Sequence, residues 1–333
     1  MSDHDRDFKY KRHYDQEDDH EHDHHDHDDD HNNNHDEGYK QDHKEHGRDD
    51  PKRKDKLIEK LGFNFLRIIT VLTVLPILGL VGYIIVKGAP AFSWPFLSEV
   101  PTNGMREGGI LPAIIGTLYL TLGTALFSVP LGVAAGIYIA EYAEDNRWTR
   151  LIRIAIINLA GIPSVVYGLF GLGLFVLFLK FGTSILSASL TLSIMTLPVI
   201  ISTTEEALRS VPNSFRVVST SLGASRWQTV WKVILPQGLP GIITGVILGL
   251  ERAAGETAPI LFTGATFFLP ELPHSIMDST MALPYHIFVI STQVPGMPIK
   301  IQYGTVLVLL IFVLGMNLIA TLIRSHARAK RQW

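Results

Sequence analysis

The sequence predicts an all-α membrane protein: six transmembrane helices with a long cytoplasmic loop, preceded by a disordered tail. Three observations predict it. Apolar stretches recur six times beyond residue 60, five of them free of charge. Lys and Arg gather in alternate connections between them. The first 50 residues are densely charged and nearly devoid of aliphatic side chains.

A helix needs about 20 predominantly apolar residues to cross the hydrocarbon core. Ile68–Val86 meets that length between Arg67 and Lys87. Gly108–Ala140 carries no charge and holds the second span. Ile154–Leu179 and Phe181–Thr204 give the third and fourth, the fifth runs from near Gly238 to about Phe262, and the sixth is Ile301–Ile323. With the N-terminus inside, segments 51–67, 141–153, 203–232 and 324–333 carry 17 Lys and Arg. Segments 87–107 and 266–300, with Lys180, then carry four. The bias of basic residues toward the cytoplasm places both termini there. Pro76, Pro130, Pro163, Pro198 and Pro259 lie within or at the edges of spans, and the accompanying glycines suit close helix packing. Gly161-Ile162-Pro163-Ser164 is the best candidate for a true break, since irregular backbone at membrane depth survives only where protein or a cavity satisfies it.

The tail reads separately. Residues 1–50 hold 19 acidic and 7 basic residues, a charge of −12, whereas residues 51–333 hold 13 and 22, a charge of +9. With so little to bury, the tail cannot offset the entropy of ordering. The chain therefore divides into a cytoplasmic His/Asp-rich tail and basic linker, residues 1–60, and a six-helix transmembrane domain, residues 61–333. His20, His22, His24, His25 and His27, interleaved with Asp, are candidates for loose metal coordination. No cysteine is present, which excludes disulfides and thiol chemistry. No cofactor and no nucleic-acid partner is expected.

Loop 203–237 is too long for a turn and too apolar for a linker. Pro212 can open a helix and Gly223 can end it. Phe215, Val218 and Leu222 fall at i, i+3, i+7 on one face. A second helix follows from Ser225 with Trp227, Val230, Trp231 and Ile234 at i, i+3, i+4, i+7, and Pro236 is expected to stop it. Two such amphipathic helices must cover their apolar faces with the lipid interface or with a partner protein's groove.

Glu251, Arg252 and Glu256 interrupt the fifth span. An ionisable side chain in the bilayer core costs at least ~2.5 kcal/mol on insertion scales, so the three require a reason. Arg252, read as the one basic residue inside a span rather than at its edge, lies four residues before Glu256, and the two can pair along one face. Either the pair sits near a helix end and reaches water, or Arg252 supplies positive charge to an anion, for which its planar fork suits phosphate. Thr257 and Thr263 add hydroxyls nearby.

Leu222-Gly223-Ala224-Ser225-Arg226-Trp227 through Val233-Ile234-Leu235-Pro236 resembles the cytoplasmic signature loop of bacterial ABC importer permeases. That signature reads Glu-Ala-Ala, three residues, Gly, nine residues, Ile, any residue, Leu-Pro. Gly223, Leu235 and Pro236 match in register and Val233 stands for the isoleucine, but Val217, Val218 and Ser219 replace Glu-Ala-Ala. Ala140-Glu141-Tyr142, Gly161 through Gly168, Arg252-Ala253-Ala254-Gly255-Glu256-Thr257-Ala258-Pro259 and Met281-Ala282-Leu283-Pro284 resemble the phosphate importer permeases, PstA type, over roughly residues 65–325.

The resemblance implies a type I importer permease fold in the bacterial plasma (inner) membrane and passage of inorganic phosphate. It implies a loop that docks on an ATPase through Phe215, Val218, Leu222, Gly223 and Ala224. The reading of the intramembrane charges agrees, with a pathway served by Arg252, Glu256 and Thr257. The implied partners are a second permease of PstC type, two copies of the ATP-binding subunit and an extracytoplasmic phosphate-binding protein. The chain has no Gly-rich Walker loop, so it is expected to be a transport subunit and not an enzyme. The alternatives are a permease for another oxyanion and a metal-ion transporter regulated by the His-rich tail. The spans contain no His, Asp or Cys to ligate a metal.

Overall fold

The computed structural model describes residues 51–329. The histidines proposed for metal binding, His20 through His27, lie outside the described residues. The chain divides into two units, residues 1–64 and 65–333. Helix α1 (Pro51–Gly88) starts in the first unit. The most apolar part of Glu59–Ala91 has no buried residue, and Tyr83 near its end meets Tyr303 edge to face at 5.5 Å.

In the second unit, a short helix α2 (Trp94–Ser98), capped by the Ser93 hydroxyl, leads into a two-stranded hairpin, β1 (Pro101–Thr102) and β2 (Glu107–Gly108). Helix α3 (Leu111–Ile137) continues through a π-helical turn, Tyr138–Tyr142. Helix α4 (Arg147–Ala160) starts at an Asn146 cap and α5 (Ser164–Gly171) extends through a second π segment, Leu172–Phe178. The long α6 (Ile185–Arg209) precedes α7 (Asn213–Ser221). Helix α8 (Arg226–Thr229) passes through a third π turn, Val230–Ile234, into α9 (Leu235–Gly255). Short helices α10 (Ala258–Thr263) and α11 (Leu283–Thr292) separate α9 from α12 (Ile299–Ala329).

Five of these helical runs are long and apolar enough to cross a membrane, and the bent pair α4–α5 makes a sixth. The pair turns by 100° at Gly161–Pro163, where the sequence suggests a break. Pro163 has no N–H to give α4 and presets the entry into α5.

The fifth helix departs from expectation at both ends. It runs Arg226–Gly255 without a stop at Pro236. Proline breaks a helix by removing one hydrogen bond and crowding the carbonyl four residues back. Here the π turn immediately before it shifts the backbone bonding, and Pro236 takes a position like that of a first-turn proline. At the other end the helix stops at Gly255 rather than near Phe262. Glu256 is extended (φ −77°, ψ 136°), and Pro259 sits in the first turn of α10.

Small residues set the spacing of the bundle. On α3, Gly123 faces Ser189 of α6, Gly132 faces Ile200 and Gly136 faces Thr204, each too close for a side chain without displacement. On α9, Gly238, Gly241 and Gly245 admit Leu208, Ala207 and Thr203 of α6 in the same way. Without a hydrophobic force between helices in lipid, such close approach is what supplies packing energy. The buried hydroxyls of Thr117, Thr121, Ser128 and Thr191 bond to carbonyls four residues back. Ser193 bridges further, donating to Thr124 of α3 (3.2 Å).

Candidate functional site

The loop between α6 and α9 is a compact unit built by local rules. Helix α7 ends in a paired C-cap: Gly223 N–H bonds to the Thr220 carbonyl (3.0 Å) and Ala224 N–H to that of Ser219 (3.2 Å). The closure requires a left-handed residue, and Gly223 has φ +83°. Ser225 then caps α8 in a reciprocal box with Gln228. The Ser219 and Thr229 hydroxyls, 2.9 Å apart and buried, tie α7 to α8.

The residues expected to form one docking face separate. Val218 and Leu222 are exposed (58% and 83%), joined by Val217. Phe215 instead packs inward beside Leu208, Val211, Val230 and Ile234. The reason is rotational: a 9-residue helix resting on the bundle must give it one stripe, and Phe215 lies on that stripe with buried Ser219, four residues on. Gly223 and half-buried Ala224 belong to the cap. In the second helix Val230 and Ile234 are buried, while the exposed Trp227 and Trp231 rings meet at 5.0 Å, tilted by 47°.

An ion pair that the sequence does not advertise anchors this loop. Arg216 donates from Nε (3.2 Å) and Nη2 to the two carboxylate oxygens of Glu141, which is 7% exposed. Its Nη1 also bonds to the Val211 carbonyl (2.8 Å) and Nη2 to that of Leu208 (2.9 Å), past the end of α6. Beside it Arg226 lies over the Tyr142 ring at 5.6 Å. A second cluster joins α4 to α6: Arg153 meets Glu205 (2.7 Å) and Asp145 (3.1 Å), and Arg209 meets Glu205 (3.0 Å). Arg153 sits within α4, one residue before the third span as the sequence delimits it. The Arg153 guanidinium holds the Asp145 carboxyl below the usual aspartate range. Spacing along the chain shows only the Glu205–Arg209 pair, four residues apart.

At the other end of α9, Arg252 Nε stands 3.6 Å from Glu256 Oε1, with side chains 39% and 18% exposed. That is an ion pair but too long for a hydrogen bond. Among the described residues the guanidinium makes no hydrogen bond. Two interruptions meet here. Ile162, at the α4–α5 break, packs in one cluster with Tyr167, Ala253 and Ile260. Gly168 of α5 lies against Ala258 and Pro259, with room for nothing larger. Thr257 is the N-cap of α10 and gives its end no side-chain cap bond. Thr263 is spent on the Pro259 carbonyl (2.9 Å). Thus Arg252, Glu256 and Thr257 are brought together, and the loop residues are not with them.

A bundle of apolar helices, two of them interrupted where a charged pair sits, with a capped two-helix loop at one end, is the build of a membrane transport subunit. Residues 132–331 match the family model of the binding-protein-dependent transport system inner membrane component, and the chain belongs to that family of ABC importer permeases.

Among its relatives is the probable ABC transporter permease protein YqgI of Bacillus subtilis, 36% identical over 279 residues that cover 80% of this chain and 94% of that one. Another is the phosphate transport system permease protein PstA 2 of Mycobacterium bovis, 33% identical over 250 residues, 75% and 81% of the two chains. The fold is shared with a bacterial alginate ABC transporter (TM-score 0.55, 14% identity, 80% and 93% coverage) and with the MetNI methionine ABC transporter in an inward-facing conformation (TM-score 0.53, 17% identity, 66% and 95%). The chain is a multi-pass type I importer permease and not an enzyme. It works with a substrate-binding protein and with a separate ATP-binding subunit that hydrolyses ATP.

Proposed function

We propose that this permease admits inorganic phosphate to a bacterial cell as the PstA-type member of its importer. Beside it stand a second, PstC-type permease, two copies of the ATP-binding subunit and an extracytoplasmic phosphate-binding protein. It lies in the plasma membrane with both termini cytoplasmic, residues 1–60 forming a tail and 61–333 the permease domain. Relatives named as phosphate permeases support the substrate.

The observation that carries the reading is Arg252. It is a partly exposed guanidinium that makes no hydrogen bond among the described residues, where it is paired loosely with Glu256 at 3.6 Å. It sits where two interrupted helices meet. A phosphate ion entering a low-dielectric passage needs a fixed positive group to offset lost hydration. The fork of Arg252 gives that charge and two donors in the geometry of a phosphate edge. Glu256 keeps the site from holding the anion too tightly, and Thr257 adds a hydroxyl. At the other end, Val218 and Leu222 face the ATPase, with Gly223 and Ala224 shaping the turn and Phe215 seating the helix from beneath.

Radiolabelled phosphate uptake tests it. Arg252→Gln at normal membrane abundance should lower uptake at least tenfold, and Arg252→Lys should be intermediate because the charge returns without the fork. Glu256→Gln should impair uptake, and less so when Arg252 is already neutral. Normal uptake in Arg252→Gln would refute the assignment. Transport of molybdate but not phosphate by the parent would move the substrate to another oxyanion.

A further inference from the structure

We infer that Glu141 and Arg216 are a positioning pair that carries movement of α7 into the α3–α6 pair, so that without it ATP hydrolysis no longer rearranges the spans. The inference rests on the reading of α7 as the ATPase-facing helix.

One guanidinium here holds three elements together. Arg216 leaves the middle of α7, engages both oxygens of Glu141 in the π turn that extends α3, and reaches the Leu208 and Val211 carbonyls at the end of α6. Side-chain exposure of 7% for Glu141 and 24% for Arg216 removes most solvent screening, unlike a surface pair. A two-pronged, charge-assisted contact also resists rotation, which a single hydrogen bond does not.

The position of α7 gives the pair its role. Its outward face, Val217, Val218 and Leu222, is uncovered among the described residues. Its inward face rests on apolar side chains, which can slide. Arg216 and the Ser219–Thr229 hydroxyl bond add directional contacts on its inner side. Load applied from outside would otherwise be absorbed by the short connections at 210–212 and 222–225. With the pair in place, α3 and α6 receive it together, because Gly132 and Gly136 lock one against Ile200 and Thr204 of the other.

The absence of cysteine allows spin labels at chosen sites. Leu131→Cys on α3 and Leu239→Cys on α9, both exposed, report helix separation in the assembled importer by pulsed electron resonance. The parent should change distance between the nucleotide-free and vanadate-trapped states. Glu141→Gln should lose more than half of that change while the ATP-binding subunit stays bound, and substrate moved per ATP should fall at least tenfold. Arg216→Lys, which keeps the charge but not the fork, should fall between. A full distance change in Glu141→Gln would overturn the inference. So would loss of the ATP-binding subunit or failure to assemble in both variants, because the pair would then only shape the loop. The distance is read without phosphate, so an incorrect substrate leaves this test intact.

Discussion

Arg216 and Glu141, 75 positions apart in the chain, meet through both prongs of a guanidinium and both oxygens of a carboxylate. The contact fixes which side of α7 faces the bundle and which side faces away. It therefore divides the apolar residues of the loop into two sets with different fates on mutation.

Leu222→Asp and Phe215→Asp should fail in different ways. Leu222 is exposed, so a charge there costs the isolated chain little and should release the ATP-binding subunit during co-purification. Phe215 packs into the chain's own core, where an unpartnered carboxylate costs several kcal/mol, of order 2–7 for a buried polar group. That variant should lose thermal stability by itself. Equal stability of both variants, with equal loss of partner, would show that Phe215 points outward.

Two glycines provide a controlled pair. A Cβ on Gly168 would meet the Ala258 carbonyl and Pro259 Cα at 3.0 Å, whereas Gly173 has open space around it. Gly168→Leu should separate α5 from α10 and destabilise by about 1–3 kcal/mol or more, lowering the yield of monodisperse protein. Gly173→Ala should be close to neutral. Differential scanning fluorimetry in detergent measures both.

His286, in the connection between the last two long helices, is 2% exposed, and burial pushes its imidazole down from 6.5 to about 4. The folded chain thus keeps it neutral while the unfolded chain protonates below about 6.5. The sign follows from linkage. Its contribution to stability is complete above pH 6.5, declines as pH falls from 6.5 to about 4, and is constant below. His286→Gln should flatten stability across that window relative to the parent, as read by chemical denaturation at a series of pH values. An unchanged slope would show that the imidazole is solvated.

Single cysteines at Ser214 and Ser275 test the orientation. A membrane-impermeant thiol reagent applied to intact cells should label Ser275→Cys and spare Ser214→Cys. The reverse pattern would place α7 outside and remove the basis for its contact with an ATPase.

The spans were legible because each is an apolar run near the length a bilayer requires. The break at Gly161–Pro163 was legible because glycine and proline stand together there. The passage of α8 into α9 was not: a π turn changes backbone bonding without changing side-chain periodicity, and Pro236 alone reads as a stop. The end of α9 at Glu256 was hidden because the residues beyond it, Pro259 to Phe262, are as apolar as those before. Arg252 and Glu256 were legible as charges out of place in an apolar run. Glu141 and Arg216 were not, since each is an ordinary charge near a span end until the fold joins them.

The uninterrupted run from Arg226 to Gly255 has a geometric consequence. At about 1.5 Å per residue it is a rod of roughly 40 Å from Arg226 to Arg252. Tilting such a rod by about 5° about its loop end would sweep the far end through roughly 3–4 Å. Glu256 caps the same helix, so it would travel with Arg252, and the charge pair would shift as a unit against α5 and α10. A helix ending at Pro236 would have placed a hinge in the lever arm and dissipated the same rotation before it arrived.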